Sequence, residues 1–583
     1  MARVIRKRTK KYSHNGCKEC KRRKIKCDEE QPVCWQCDRL NKRCQYNTKT
    51  NNRHSMGNEV FKDLERHQDD MANARSNLLS PLLYFSENNS VLNQSLDEEV
   101  QDSLPVPGSS ILANDLSDLI SLNLDELATV AESTTPHYST PDGIMLSSPP
   151  FDSERIFQTN VPMSYISLSG LNHFYMKEFY NDFSKIILPL QAKENGVTCN
   201  PVRDILMIHA RDSYYLLYAL LACGARTSHR KTSLPEDLSS YKAYLRHCLT
   251  SLTTAMDQQF NSKLDSILLT ILVLTCDNAS NKSQAWRAHL HGAKDLLFKK
   301  SYTNQKPQSM TFLLCRAWYS SIEILAGLVS ANGGTLQSNE ELDLLTLPND
   351  QKEAATLREL KIVSPEGVSL FHGYSMELVV ALKDLIKLLR NENKSRVHYS
   401  KIIDLLARLN KQLSFQVISG AGIIPETHQY HPKNVRQDNL NHANIEIISI
   451  DGNKIAVSWL DIVHRSYTLA SLITISTKLL NMKKECEMVQ GMVRDLLDTA
   501  FFLDATNDSS KSYCSFLLQW PILVAGLNSI EEPDKIKVET FFRLLAELGS
   551  GSAGFVLVRM RKVWLKGLKF EQETPDQVDI VPY

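Results

Sequence analysis

Six of the thirteen cysteines in this 583-residue chain lie in one short stretch, spaced Cys17-x2-Cys20-x6-Cys27-x6-Cys34-x2-Cys37-x6-Cys44. A Cys-x2-Cys pair can point two thiolates at one metal from a single turn, and all-sulfur sites favour zinc or iron–sulfur. One tetrahedral ion uses four ligands, so six cysteines are too many for one. Two tetrahedral ions need eight bonds, which six thiolates supply if two of them bridge. The spacing is two copies of Cys-x2-Cys-x6-Cys, which suits two metals sharing the first cysteine of each copy. The cofactor expected is therefore two Zn2+, held by Cys17, Cys20, Cys27, Cys34, Cys37 and Cys44.

Folding logic points the same way. Between Cys17 and Cys44 the apolar residues are only Ile25, Val33, Trp35 and Leu40. A segment that short does not stabilise itself by burial and needs metals or disulfides. Met1–Lys11 is basic with no apolar run behind it, so no secretory signal is read and disulfides are disfavoured. A four-cysteine iron–sulfur cluster would leave two thiolates over, and a RING-type site would need histidines and longer spacers.

The spacers name the partner. Lys21-Arg22-Arg23-Lys24-Ile25-Lys26 carries five positive charges between the second and third cysteines. Residues 1–50 hold 16 Lys+Arg against 5 Asp+Glu, a net of +11, although the whole chain is only +1 (67 against 66). A small basic module on an acidic remainder calls for an anionic partner at the module, and duplex DNA supplies phosphates whose counterions are released on binding.

These residues carry a family resemblance. Cys17-x2-Cys20-Lys-Arg-Arg-Lys-Ile-Lys-Cys27-Asp28, followed by Pro32-Val33-Cys34, resembles the fungal Zn2Cys6 binuclear cluster family. The resemblance implies that Cys17 and Cys34 bridge the two zincs and that the first of two short helices enters the DNA major groove. It also implies that Arg23 and Lys24 read a CGG-type triplet, and a guanidinium can bond guanine O6 and N7 together. Lys18, Lys21, Arg22 and Lys26 are expected to hold phosphates. Tyr12–Cys17 and Cys34–Leu40 are similar to the lysine-biosynthesis regulator subgroup of that family.

The elements behind the module follow from composition and periodicity. We read a basic arm (1–11), the Zn2Cys6 DNA-binding domain (12–46) and a linker with a short helix (47–80). A mostly disordered, acidic and Ser-rich linker (81–159), an all-α regulatory domain (160–572) and a tail (573–583) complete the chain. The fold class expected is mainly α. Val60, Leu64, His67, Met71, Ala74 and Leu78 form a weak heptad, read either as a homodimer seam or as a short solvated helix. Asn114–Leu127 alternates acidic and leucine residues, as an activation segment or as a docked helix would. Helical periods recur in Leu378–Leu389 and Ile402–Leu413; stretches 337–372 and 417–458 carry loop signals; Ile445–Val457 reads as a hairpin around Asp451-Gly452.

Three stretches of the body resemble the fungal transcription-factor regulatory domain: Asn200–Arg203 ahead of Tyr214–Ala225, Trp286–Ala293, and Trp520–Gly526 with a late Val563-Trp564. Catalysis is not expected. His289 and His291, two apart on a helix, face different ways, and no phosphate loop or hydrolase motif occurs. The other seven cysteines are read as reduced core thiols. Ile267–Leu274 is too short to span a bilayer and reads as a buried helix, so no membrane partner is expected. The functional reading is a nuclear, sequence-specific regulator of RNA polymerase II genes, with duplex DNA and the transcription machinery as partners. The rival is a zinc-dependent protein- or RNA-interaction module without duplex sequence preference. No residue nominates an effector.

Overall fold

The computed structural model describes residues 17–22, 27, 34, 37, 44–45, 581 and, within 160–567, all but 280–284, 303–307, 331, 347, 349, 392–395, 418–439 and 506–511. Arg23, Lys24, Lys26, the basic arm, the heptad, Asn114–Leu127 and all of the tail except Val581 lie outside the described residues. The chain divides into two units, within residues 1–103 and 104–583.

In the first unit a five-residue helix, α1 (Lys18–Arg22), follows Cys17 and buries Cys20. The Lys18 amide donates to the Gln45 carbonyl at 2.7 Å, tying the end of the module to its beginning. Of the second expected helix only Cys37 is described, and it is helical.

The second unit is helical. Helix α2 (Gly170–Glu178) runs through a π turn at Phe179–Phe183 into Ser184–Ile187. A hairpin, β1 (Ala192–Glu194) and β2 (Val197–Cys199), leads to α3 (Pro201–Ala210). There the Asn200 side chain accepts the Arg203 amide at 2.9 Å, and Pro201 stands where its missing N–H costs nothing. The Asn-Pro-Val-Arg motif is thus a helix start. Helix α4 (Tyr214–Thr232) packs along α5 (Pro235–Ala279), 45 residues long and therefore roughly 67 Å. Asp237 fixes their corner, accepting from Ser228 Oγ (2.7 Å), Thr232 Oγ1 (2.9 Å) and Tyr175 OH (2.8 Å).

Helices α6 (Ala285–Tyr302) and α7 (Met310–Val329) lie against α5. By length and composition α7 is apolar enough to cross a membrane. It is instead a core helix, with Arg316 paired to Glu353 and Glu323 buried, and sequence reading did not single it out. Stretch 337–372, expected as loop, contains α8 (Asn339–Thr346) and α9 (Gln351–Glu359). The signal was present: Ser338 Oγ accepts the Glu341 amide while Glu341 accepts the Ser338 amide, a reciprocal capping box, and Asp350 caps α9.

A two-residue pair, β3 (Val368–Ser369) with β4 (Tyr374–Ser375), precedes α10 (Met376–Arg390) and α11 (Arg396–Gln412), where the expected helical periods fall. The expected hairpin is β5 (Ile445–Ile450) with β6 (Asn453–Ser458), turning at Asp451 (φ 48°) and Gly452 (φ 78°). Both central residues need the left-handed region, which is why Asp-Gly marks the turn. Helices α12 (Trp459–Thr474), α13 (Glu487–Asp498), α14 (Gln519–Asn528), α15 (Glu532–Glu547) and α16 (Gly551–Lys566) complete the body.

One hydrophobic core runs from Val161 to Val581. Distant segments close it: Tyr513 OH donates to Asp182 at 3.0 Å, and Gln191 and Asn444 exchange two hydrogen bonds at 2.8 and 2.9 Å. Helices α2 and α4 meet backbone to backbone, since a Cβ on Gly224 would stand 1.9 Å from the Tyr175 carbonyl oxygen. Gly224→Ala should therefore force the two helices apart and cost about 3 kcal/mol, near the upper end for overpacking. Chemical denaturation of the full chain reads this as a lowered midpoint; an unchanged midpoint would contradict the contact.

Candidate metal centre and nucleic-acid interface

The six sulfurs of the first unit form two groups of four. Cys17, Cys20, Cys27 and Cys34 make one, and Cys17, Cys34, Cys37 and Cys44 the other; within each, all sulfurs lie within 4.8 Å of one another. Cys17 and Cys34 belong to both. Their Sγ atoms are 3.7 Å apart, Cys17 to Cys37 is 3.4 Å, and Cys20 to Cys34 is 3.6 Å. Backbone amides fix the sulfurs: Cys17 N–H points to Cys27 Sγ, Cys20 N–H to Cys17 Sγ, and Cys34 N–H to Cys44 Sγ, at 3.5, 3.3 and 3.3 Å. Such amides stabilise thiolate.

A buried, all-sulfur donor set of four at these separations suits a tetrahedral soft-ligand ion, and two such sets suit a binuclear zinc centre. Among the described residues these are the only groupings of histidine, cysteine and carboxylate ligands fit to hold a metal.

The thiols are unlike one another. At Cys17 burial pushes upward, but the Cys20 amide and contacts with Cys37, Cys20 and Cys44 outweigh it and bring the thiol to about 6. Burial first, then neighbouring sulfurs, hold Cys20 far above the usual thiol range; burial does the same at Cys34 and pushes Cys37 up to about 12. Burial thus opposes ionisation across the cluster, while amides and neighbouring sulfurs favour it at Cys17. Zinc would be bound by deprotonated sulfurs.

Beside the sulfurs stands the basic face. Lys18, Lys21 and Arg22, three and four residues apart, lie together on the exposed side of α1, opposite Cys20. Glu19, which sequence reading did not use, grips Arg22: its Oε1 accepts Nη2–H at 2.8 Å and its Oε2 accepts Nε–H at 3.0 Å. The i,i+3 spacing of acid and arginine was the available signal.

Among the described residues the second unit offers no comparable site. His289 is buried, and burial lowers its imidazole to about 4; His291 is half-buried. Trp286 and Trp520 are core residues. Trp564 Nε1–H donates to the Gly526 carbonyl at 2.8 Å, so the two late motifs are one packing contact. Cys199, Cys223, Cys248, Cys276, Cys315 and Cys514 are buried and Cys486 half-buried, all unbridged. A polar cleft of about 740 Å³ lies among α8, α10 and α11. Several of its charges are already paired internally, Arg408 with Asp384 (2.7 Å) and Asp404 (2.9 Å), and Lys387 with Asp343.

Zinc affinity should fall as pH falls, because binding displaces protons from at least Cys20, Cys34 and Cys37. At buffered free zinc, occupancy measured from pH 8 to 5 should drop with a steepness of three protons or more; a single-proton curve would contradict this. Cys17→Ser, which removes a sulfur from both groups, should abolish binding of both ions rather than one, as read by metal content per chain.

Comparison with known proteins fits this geometry. Residues 15–53 match the fungal Zn(2)-Cys(6) binuclear cluster domain, and residues 174–572 match the fungal specific transcription factor domain. The chain is 28% identical over 95% of its length, and 79% of the other's, to the lysine biosynthesis regulatory protein of Saccharomyces cerevisiae. Sterol uptake control protein 2 of the same organism is 34% identical over 17% of this chain and 10% of its own. The Candida albicans protein of that name is 53% identical over 6% and 5%. No solved structure gives a significant match. The chain belongs to the fungal transcription factors, as a sequence-specific DNA-binding regulator whose binuclear cluster holds two zinc ions and whose helical body is the fungal specific transcription factor domain.

Proposed function

We propose that Cys17, Cys20, Cys27, Cys34, Cys37 and Cys44 ligate the two zincs, with Cys17 and Cys34 shared, and that α1 enters the major groove. What supports the reading is one observation: two four-sulfur groups with two sulfurs in common, directly under an exposed basic face. The zincs supply folding energy rather than chemistry. Lys18, Lys21, Arg22 and Lys26 bind phosphates and set the register, and Arg23 and Lys24 read a CGG-type triplet. The protein acts in the nucleus on RNA polymerase II genes, engages the transcription machinery, and performs no catalysis. The similarity to a lysine biosynthesis regulatory protein along nearly the whole chain supports amino-acid metabolism, lysine in particular, as the pathway. The stretch 60–78 would pair two copies, so that half-site spacing sets the target.

Selection from a random duplex library by the zinc-loaded full chain tests this directly. Enrichment of one or two CGG-type triplets at fixed spacing is expected; no duplex preference would favour a protein- or RNA-interaction module instead. On the selected site, Arg23→Ala should cost about 1–3 kcal/mol and relax the triplet, while Lys26→Ala should weaken every sequence alike and flatten the salt slope by about 0.9. Equal losses on selected and random duplex for both variants would reject the division of roles.

A further inference from the structure

Within the exposed face of α1 one cation, Arg22, is bound to a carboxylate of its own helix. Arg22 is held side-on by Glu19 through two hydrogen bonds, at 2.8 and 3.0 Å, one from Nε and one from a terminal nitrogen. The Arg22 side chain is 64% exposed and that of Glu19 only 15%, so the carboxylate is the anchored partner and the guanidinium is laid back onto it. Glu19 sits between Cys17 and Cys20, whose sulfurs are fixed in the cluster, which denies its backbone much freedom.

The consequence is electrostatic. Lys18 and Lys21 are also exposed on this face, and Arg22 has two donors taken by a carboxylate. A phosphate approaching Arg22 meets a guanidinium that has both an anionic competitor and a fixed plane. An exposed i,i+3 pair is weak, so DNA can displace it or use what remains of the fork, but only where the fit is good.

We propose that Glu19 is a positioning residue that acts through Arg22: it discounts this cation on poorly fitting DNA and so widens the gap between specific and random-sequence binding. The proposal rests on the DNA-reading role of α1.

The test uses the zinc-loaded full chain, with affinities measured against salt on the selected duplex and on a random-sequence duplex. Glu19→Gln should tighten random duplex about two- to five-fold, the equivalent of an exposed ion pair, and steepen its salt slope by about 0.9, one further phosphate. The selected duplex should tighten less, so the specificity ratio falls. In an Arg22→Gln background the same Glu19→Gln change should leave the slope on random duplex unmoved. If the slope steepens equally in both backgrounds, Glu19 acts by direct repulsion of DNA and the positioning role is overturned. It is also overturned if wild type and Glu19→Gln have the same slope, or if both duplexes tighten equally. Zinc content is read for each variant; if Glu19→Gln loses metal, Glu19→Ala and Glu19→Asp take its place, Asp keeping the wild-type slope and Ala steepening it. Should the wild-type chain show no duplex preference at all, it is the DNA-reading assignment that falls, an outcome distinct from a preference that Glu19→Gln leaves untouched.

Discussion

Six sulfurs gathered where there is almost nothing else to hold a fold together are the constraint on which the DNA-binding unit depends. Every described interior residue of that module is a cysteine, and its helix is five residues long. Neither hydrophobic burial nor helix propensity could sustain it. The same crowding burdens the metal-free state, because burial raises the cost of ionising Cys20, Cys34 and Cys37. Metal is therefore both the ligand and the missing core, and the orientation of Lys18, Lys21 and Arg22 toward solvent follows from which face of α1 the sulfurs take.

The body obeys the opposite logic. Its apolar residues recur at helical spacing, its core is continuous, and several of the polar groups inside it are tied into specific joints. Asp237 accepts three hydroxyl hydrogens at one helix corner, and Glu323 accepts the Thr335 and Leu336 amides at 2.8 and 2.9 Å in the interior of α7. Burial raises the Glu323 carboxyl, and these amides oppose it. Such joints specify one arrangement among many that hydrophobic packing alone would tolerate.

Much of this was legible in the sequence, for identifiable reasons. Bond counting on the cysteine spacing anticipated two four-sulfur groups with two members in common. The Leu378–Leu389 and Ile402–Leu413 periods marked α10 and α11, and Asp451-Gly452 marked the hairpin. What escaped was local polar chemistry read too coarsely. The capping box at Ser338–Glu341 opens helices too short to carry a long apolar stripe, so their stretch resembles loop. Glu19 is masked by the run of cations around it. The composition of α7 suits a membrane span and a core helix alike until packing is known. Contacts such as Gly224 against Tyr175 depend on tertiary approach and leave no periodic trace.

Tyr513 and Asp182, joined across the body, are 331 residues apart in the chain. At a synthesis rate of about 5–20 residues per second, Asp182 waits roughly 15–70 s for Tyr513 to be made. The DNA-reading module, all of whose ligands are made before residue 50, has no such wait. A nascent copy of this regulator thus passes through a long interval with its zinc unit complete and its helical body exposing apolar surface. Exposed apolar surface of that kind is what makes incomplete chains prone to aggregate.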